Sequence, residues 1–225
     1  MSSLTHEQSA PRHSLAGHRW ISGLAILLVV LTLLTAMWMW LGRTEPLKDY
    51  GTAPSFTLTD QRGRPVSSDS LAGHVVLANF VYTTCTDICP ALSGQMLGVQ
   101  ERLQGEQLLG TDVQLLSFTV DPERDTPDVL HAYAERYRAD PDVWRFLTGP
   151  EDVLKPLIVE GFHLGVQVVP PATAVAVSED SHGAYKVMHS GRFVLIDQDG
   201  HVRAYYNGSE FEPERVVRDI QQLVD

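Results

Sequence analysis

The chain has 225 residues, enough for one good-sized hydrophobic core and little more. Its 28 acidic residues outnumber the 17 basic ones, and the formal net charge of −11 argues against nucleic acid and anionic membrane surfaces as partners. The two cysteines do not by themselves fix the redox compartment, although their even number would allow one disulfide in an oxidising space.

An uncharged apolar stretch at residues 21–41 predicts a membrane-spanning helix. At about 1.5 Å per residue this stretch is about 31 Å long, which matches the hydrocarbon core of a bilayer. Trp20, Trp38 and Trp40 lie near its two ends, where interfacial aromatic residues are found. A cleaved signal peptide is the alternative, but Leu34 stands where the cleavage site would require a small residue.

This anchor divides the chain into four predicted parts. Residues 1–20 form a short cytoplasmic tail, 21–41 the transmembrane anchor, 42–52 a tether and 53–225 the folded domain. The basic residues that flank the span are balanced on its two sides, so charge alone does not set the orientation. The short polar tail favours a single-pass protein of the inner (cytoplasmic) membrane whose folded domain faces the periplasm.

Strands and helices alternate along the rest of the chain. We expect strands at 53–60, 75–80, 112–120, 143–148, 189–197 and 201–206, and helices at 90–105, 128–138, 152–160 and 212–224. Pro156 is expected to lie in the first turn of the third helix or to kink it. Asp125 or Thr126 is expected to cap the second helix, and Asp199-Gly200 to form a hairpin turn. Residues 168–180 are expected to form a loop or an irregular strand. The pattern predicts a single α/β domain.

Both cysteines lie between the strand at 75–80 and the helix that begins near Pro90. The N-terminal end of a helix favours thiolate over thiol, and residues four apart on a helix have Cβ atoms about 5–6 Å apart. Cys85 and Cys89 are therefore suited either to a reversible disulfide or to a soft metal ion. A disulfide across so short a loop constrains little of the unfolded chain, so a functional pair is favoured over a structural one.

A metal ion held by two thiolates needs a third ligand. Three histidines remain as candidates, namely His163, His182 and His189, while Met96 and Met188 are weaker ones. His189 directly precedes a predicted strand that an α/β core could place beside the cysteines. Sequence spacing does not select among these residues.

Three segments, taken in order, resemble motifs of the SCO/SenC family of membrane-anchored, thioredoxin-fold copper proteins. Residues 85–90 match its C-x-x-x-C-P motif, residues 119–127 resemble its second signature, and residues 185–190 match the segment that supplies its histidine ligand. The resemblance covers roughly residues 50–225. It implies an α/β thioredoxin-like fold in which helices flank a central mixed sheet.

The resemblance also implies a site and a function. Cys85, Cys89 and His189 would bind copper as Cu(I) or Cu(II), and Asp87 or Asp121 would tune or supplement the site. The protein would be a copper chaperone, not an enzyme, that serves the dinuclear copper centre of a haem-copper cytochrome oxidase. Its partner would be the oxidase's copper-bearing subunit or another copper carrier. The donor set agrees, because soft thiolates select Cu(I), imidazole also accepts Cu(II), and structural zinc usually takes four ligands.

The main alternative is an enzyme, either a thiol–disulfide oxidoreductase or a peroxidase of related fold. Both would use the same thiolates, with a Cys85–Cys89 disulfide as the redox form. Redox members of the thioredoxin superfamily typically have two residues between their cysteines and a cis-proline before the hairpin strand. This chain has three residues between its cysteines, and His189-Ser190-Gly191 where the cis-proline would stand. A copper or redox sensor without a delivery role is a third hypothesis.

Overall fold

The computed structural model describes residues 27–35, 37–38, 45–164, 167–168, 187–188 and 191–224. The chain divides into two compact units, Met1–Pro46 and Leu47–Asp225. In the first unit, residues 27–35 and 37–38 are helical with exposed side chains. Among the described residues, no helix is both long and apolar enough to cross a membrane. The rest of the predicted anchor lies outside the described residues.

The second unit is built on a seven-stranded mixed sheet. Its strand order is β2-β1-β5-β4-β3-β8-β9, in which β3, β4 and β5 are parallel and the other neighbours antiparallel. The strands are β1 Thr57–Asp60, β2 Pro65–Ser67, β3 Val75–Val81, β4 Val113–Thr119, β5 Trp144–Thr148, β8 Arg192–Ile196 and β9 Val202–Asn207, with a separate antiparallel pair of β6 Gln167–Val168 and β7 Val187–Met188.

Helices cover both faces of this sheet. They are α1 Cys89–Gly105, α2 Pro127–Arg136, α3 Glu151–Pro156 and α4 Pro213–Val224. Helices α1, α2 and α4 pack on one face in a core that includes both cysteines, while α3 and the turn after it pack on the other. The predicted α/β fold with a central mixed sheet and flanking helices is confirmed.

Strand β3 is an interior strand of the sheet, and all seven of its side chains are buried. Alternate residues face opposite sides of a strand, so Leu77 joins the core under α1 while Phe80 joins the core under α3. A continuous apolar run is what a strand covered on both faces requires. Strand β3 therefore points its C-terminal end, and the cysteines that follow, out of the middle of the sheet.

The third helix is interrupted at Pro156, the residue that was expected to lie in its first turn or to kink it. Helix α3 ends at Pro156 and the chain continues as a π-helical turn at Leu157–Gly161. Proline has no N–H to donate to the preceding turn, so the regular α-helical bonding stops there. Of the expected loop at 168–180, only residue 168 is described; it belongs to β6.

The end of the predicted tether at 42–52 is packed on the folded domain. Arg203 donates from Nη2 to the Leu47 carbonyl at 2.6 Å, and the Tyr50 N–H donates to the Val202 carbonyl at 2.9 Å. These bonds add a short strand-like segment to the open edge of β9. The folded unit therefore begins at Leu47.

Candidate metal centre

The cysteine turn, residues 82–89, connects the end of β3 to Cys89, the first residue of α1. The Cys85 N–H donates to the Tyr82 carbonyl at 3.2 Å, which closes the first part of the turn. Thr84, Thr86 and Asp87 on the turn are exposed, whereas the two cysteine side chains point into the protein. The turn therefore surrounds two buried sulfur atoms with a polar rim.

Both cysteines are free thiols at the start of α1, whose first residue is Cys89. Cys85 is 6% exposed and Cys89 is fully buried. The Cys89 N–H donates to the Cys85 Sγ at 3.3 Å. Since Ile88 at the N-cap has no side-chain cap bond, the sulfur of Cys85 satisfies one of the N–H groups that a helix start leaves without a partner.

The expectation that both thiols would have a lowered pKa is wrong for Cys89. Burial raises the pKa of the Cys89 thiol far above its ordinary value, and the hydrogen-bonded Cys85 side chain raises it further. A backbone hydrogen bond from Tyr82 opposes the shift without overcoming it. Removal from water disfavours the charged form more than the helix N-terminus favours it. Cys89 is therefore a neutral thiol until a metal or an oxidant removes its proton.

A buried carboxylate fixes the start of the cysteine turn. Asp125 is fully buried and accepts hydrogen bonds from the Thr83 hydroxyl at 2.6 Å, the Thr83 N–H at 3.2 Å and the Thr119 hydroxyl. Burial raises the pKa of Asp125, while the hydrogen bonds from Thr119 and Thr83 act to lower it. Through these bonds Asp125 ties the connection between β4 and α2 to the turn that carries the sulfurs.

Sequence reasoning missed this role of Asp125. The predicted cap of α2 is confirmed in Thr126, one of the two residues named for it, whose hydroxyl accepts from the Val129 N–H at 3.4 Å. Asp125 is thus available for Thr83, 42 positions earlier in the chain. Asp125 is the one buried residue in the stretch 121–126, and its burial is not visible without the fold.

The two predicted accessory carboxylates lie at the edge of this site. Asp121 follows β4, is ion-paired with Arg124 at 2.8 Å, and its N–H donates to the Thr119 hydroxyl at 3.0 Å. Asp87 is exposed on the cysteine turn. The Asp121 carboxylate already has a cationic partner, and the accessory role of both residues stays a prediction.

The third ligand falls at the limit of the described chain. His189 and His182 lie outside the described residues; His163 is exposed, with a left-handed backbone φ of 53°. Met96 is buried in the same core as both cysteines. Within the described part of the chain, no three His, Cys, Asp or Glu side chains form a group that could hold a metal ion. The cysteines are the two predicted ligands that the structure brings together.

The strand that follows His189 begins against the cysteine turn. A Cβ built on Gly191 would lie 2.5 Å from Cδ1 of Ile88, the residue immediately before Cys89. Gly191 is also hydrogen-bonded through its carbonyl to the Gly208 N–H. The backbone two positions after His189 is therefore in close contact with the start of α1.

A family model described as SCO1/SenC matches residues 44–225. The SCO1 protein homolog of Bacillus subtilis (strain 168) is 34% identical over 179 residues, which is 79% of this chain and 84% of that protein. The family model covers the whole folded unit and includes every described residue of the site.

Solved structures agree with this assignment. BsSco, a member of the Sco family of cytochrome c oxidase assembly proteins with a disulfide switch, has a TM-score of 0.64 at 31% identity; the match covers 80% of this chain and 98% of that chain. Bradyrhizobium japonicum ScoI, solved with copper bound, has a TM-score of 0.62 at 28% identity and covers 76% and 99% of the two chains. Family model, sequence relative and fold agree, and the chain belongs to the SCO1/SenC family.

Proposed function

We propose that this protein is a membrane-anchored copper chaperone that binds copper through Cys85, Cys89 and His189. It delivers the ion to the dinuclear copper centre of a haem-copper cytochrome oxidase. One observation carries the proposal: two free sulfurs are buried on a single turn, and the strand that follows His189 begins in contact with that turn.

Chain connectivity supports His189 as the third ligand. Two residues span at most about 7 Å, so the Cα atom of His189 lies within that distance of the Cα atom of Gly191. Gly191 is packed against Ile88, next to Cys89. This connectivity supports His189 as the third ligand, and the copper titration below tests it.

The donor set fits copper. Thiolates are soft ligands that prefer Cu(I), and an added imidazole also suits Cu(II), so the three groups serve both oxidation states. Binding requires that both thiols lose their protons, and the buried Cys89 thiol would exchange its proton for the metal. A three-ligand site leaves a position open at which a recipient's ligand can enter. Copper then passes by ligand exchange, and no substrate is turned over.

The relatives support copper as the cargo and oxidase assembly as the role. A structural neighbour at 28% identity has been solved with copper bound, and one at 31% identity is named as a cytochrome c oxidase assembly protein. On this basis the partner is the copper-bearing subunit of such an oxidase, or another copper carrier. The net charge of −11 suits a basic docking surface on that partner.

We further propose that residues 21–41 hold the protein in the inner membrane, with the folded domain in the periplasm. Within the described helix at 27–35, Thr32 donates to the Val29 carbonyl at 2.8 Å and Thr35 to the Thr32 carbonyl at 2.9 Å. Both hydroxyls are thus satisfied inside the helix, which an apolar environment requires. The full chain should remain in the membrane fraction after alkaline carbonate extraction, and a chain without residues 21–41 should not.

Copper titration of the reduced full-length chain in detergent tests the assignment. We expect one copper ion per chain and a thiolate-to-copper absorption band, both lost in Cys85→Ser and in Cys89→Ser. His189→Ala should abolish tight binding while both thiols still titrate. Unchanged affinity in His189→Ala would show that another residue is the third ligand, and stoichiometric binding without the cysteines would overturn the site.

A thiol–disulfide oxidoreductase is the second candidate. Both cysteines are free and lie together, since the Cys89 N–H donates to the Cys85 sulfur; a relative at 31% identity is named for a disulfide switch. His189→Ala separates the two functions. A reductase should keep its rate of exchange with a dithiol or disulfide partner in this variant, whereas a chaperone should lose copper transfer.

A further inference from the structure

We propose that Gly191 and Gly208 are positioning residues for the copper site. This inference rests on the proposed function and extends it to residues that are not ligands. The two glycines and the three side chains of α1 and its N-cap that touch them form what we call the glycine contact: Ile88, Leu92, Gln95, Gly191 and Gly208. It sets the spacing between the cysteine turn and the segment that ends at His189.

The glycine contact is too close for any side chain at residue 191 or 208. A Cβ on Gly191 would lie 2.5 Å from Ile88 Cδ1 and 3.8 Å from Leu92 Cδ2. A Cβ on Gly208 would overlap Leu92 Cδ2 and would lie 2.6 Å from the Gly191 carbonyl oxygen. Real Cβ atoms do not approach other atoms so closely, so a side chain at either position requires its neighbours to move. At residue 191 the neighbour is the flexible end of Ile88, whereas at residue 208 it includes the backbone carbonyl of Gly191.

The helix side of the contact is a single row of side chains. Residues 88, 92 and 95 are four and three positions apart, the spacing that places side chains on one helix face. The first two supply the apolar surface, and Gln95 donates from Nε2 to the Gly208 carbonyl at 2.8 Å. The Gln95 Oε1 atom is buried and has no hydrogen-bond partner among the described residues. One helix face thus holds both glycines by packing and by a hydrogen bond.

The position of the contact explains why it bears on copper. Ile88 directly precedes Cys89, and Gly191 follows His189 by two residues. The contact is therefore the nearest described link between the two chain segments that carry the proposed ligands. Metal–ligand bonds tolerate deviations of only about 0.2 Å, so a shift of several tenths of an ångström at this link displaces the imidazole from the sulfurs.

The test is Gly191→Ala, measured as Cu(I) and Cu(II) affinity of the full-length chain in detergent. The new methyl group meets Cδ1 of Ile88, the far end of a flexible side chain, so we expect a local shift and a folded protein. Because that shift separates the two ligand-bearing segments, we expect copper affinity to fall by about tenfold. The thiolate-to-copper absorption of the Cu(II) form should shift towards that of His189→Ala, while the number of thiols that titrate in the metal-free protein stays the same.

Ile88→Val provides the rescue. Valine lacks the Cδ1 atom, so the double variant Gly191→Ala with Ile88→Val removes the overlap and should bind copper as the unmodified protein does. The double variant also decides the matter if Gly191→Ala alone does not accumulate as folded protein. Gly94→Ala is the matched control, because Gly94 is exposed on the same helix with no atom within 4 Å of its Cβ position, and its copper affinity should be unchanged.

His189→Ala shows whether Gly191 acts through the imidazole. If it does, Gly191→Ala costs little further affinity once His189 has been replaced. The proposal is overturned if Gly191→Ala binds copper normally, if Ile88→Val does not rescue it, or if the loss is equally large in the His189→Ala background. If the unmodified chain itself binds no copper, the proposed function fails, which is a different result from each of these.

Discussion

The two ends of the sheet in the unit Leu47–Asp225 are held by different kinds of contact. At the cysteine end, the fully buried Asp125 is bonded to Thr83 and Thr119. At the opposite end, which we call the tether end, residues 47–53 lie along the hairpin turn between β8 and β9. There Asp49 is paired with His201 at 2.9 Å, and both side chains are more than a third exposed.

This difference separates the parts of the protein that solvent can influence. Exposed ion pairs are weak and are screened by salt, whereas hydrogen bonds to a buried carboxylate are strong and are screened little. The cysteine end should therefore keep its geometry when the salt concentration changes, as a metal site requires. The tether end is the part of the unit that changes in pH or salt should loosen.

Removal of the buried carboxylate should have the largest effect. In Asp125→Ala, two hydroxyl groups and one N–H lose their acceptor in the interior, so we expect a loss of about 2–3 kcal/mol in the free energy of unfolding. Urea unfolding measures it. Copper affinity should fall as well, because the start of the cysteine turn is no longer held by Thr83.

Asp125→Asn is the control for this prediction. The amide keeps one carbonyl acceptor for Thr83, and the Thr119 hydroxyl can rotate to accept from the amide nitrogen. We expect a loss of about 1 kcal/mol. Equal losses in Asp125→Ala and Asp125→Asn would mean that the charge, rather than the hydrogen bonds, holds the cysteine end.

Arg203→Ala should have a smaller effect at the tether end. Arg203 donates to the Leu47 and Lys48 carbonyls and to Asp197, but its side chain is 24% exposed and water can replace it. We expect a loss of about 1 kcal/mol in unfolding free energy, together with faster protease cleavage at residues 47–53. Arg203→Lys keeps the charge but loses the planar guanidinium. Its unfolding free energy should therefore lie between those of the unmodified protein and Arg203→Ala. A loss as large as that of Asp125→Ala would remove the distinction between the ends.

The sequence predicted the central elements because their signals are local. The apolar run of β3 and the proline at the start of α1 each act on neighbouring residues, and both elements are confirmed. The docking of the tether was not predicted, because it depends on Arg203 bonding to the Leu47 carbonyl 156 positions away. A backbone carbonyl carries no sequence signature, so no pattern could have indicated it.

The same limit applies to the site. The pairing of Cys85 with Cys89 follows from their spacing at a helix start, and the structure places them in contact. The buried role of Asp125 and the close approach of Gly191 to Ile88 depend on which segments the fold brings together. A glycine before a strand has many explanations in sequence, and only the distance to α1 selects among them.

Acid should affect the two ends in opposite directions. Burial raises the pKa of Asp125 above its usual 3.8, so the stability that it contributes is fully present below 3.8 and is lost as the pH rises through its folded-state pKa. At the tether end, the hydrogen bond from the Gly51 N–H lowers the pKa of Asp49, and the hydrogen bond with His201 lowers it further. The stability that Asp49 contributes is therefore present above 3.8 and is lost as the pH falls through the lowered pKa. Pepsin, added as the pH is lowered, should cleave first at residues 47–53. First cleavage in the cysteine turn would reverse the comparison.

The smallest effect is expected for Asp49→Asn at neutral pH. The amide oxygen still accepts from the Gly51 N–H, which is bonded to Asp49 at 2.8 Å, so the substitution removes the charge and little else. Because the His201 pair is exposed, global unfolding should not change measurably. The acid-dependent onset of cleavage at residues 47–53, and its dependence on added salt, should disappear. If Asp49→Asn instead destabilises the whole unit as much as Arg203→Ala does, the exposed charge is a structural support, and the tether end is held as firmly as the cysteine end.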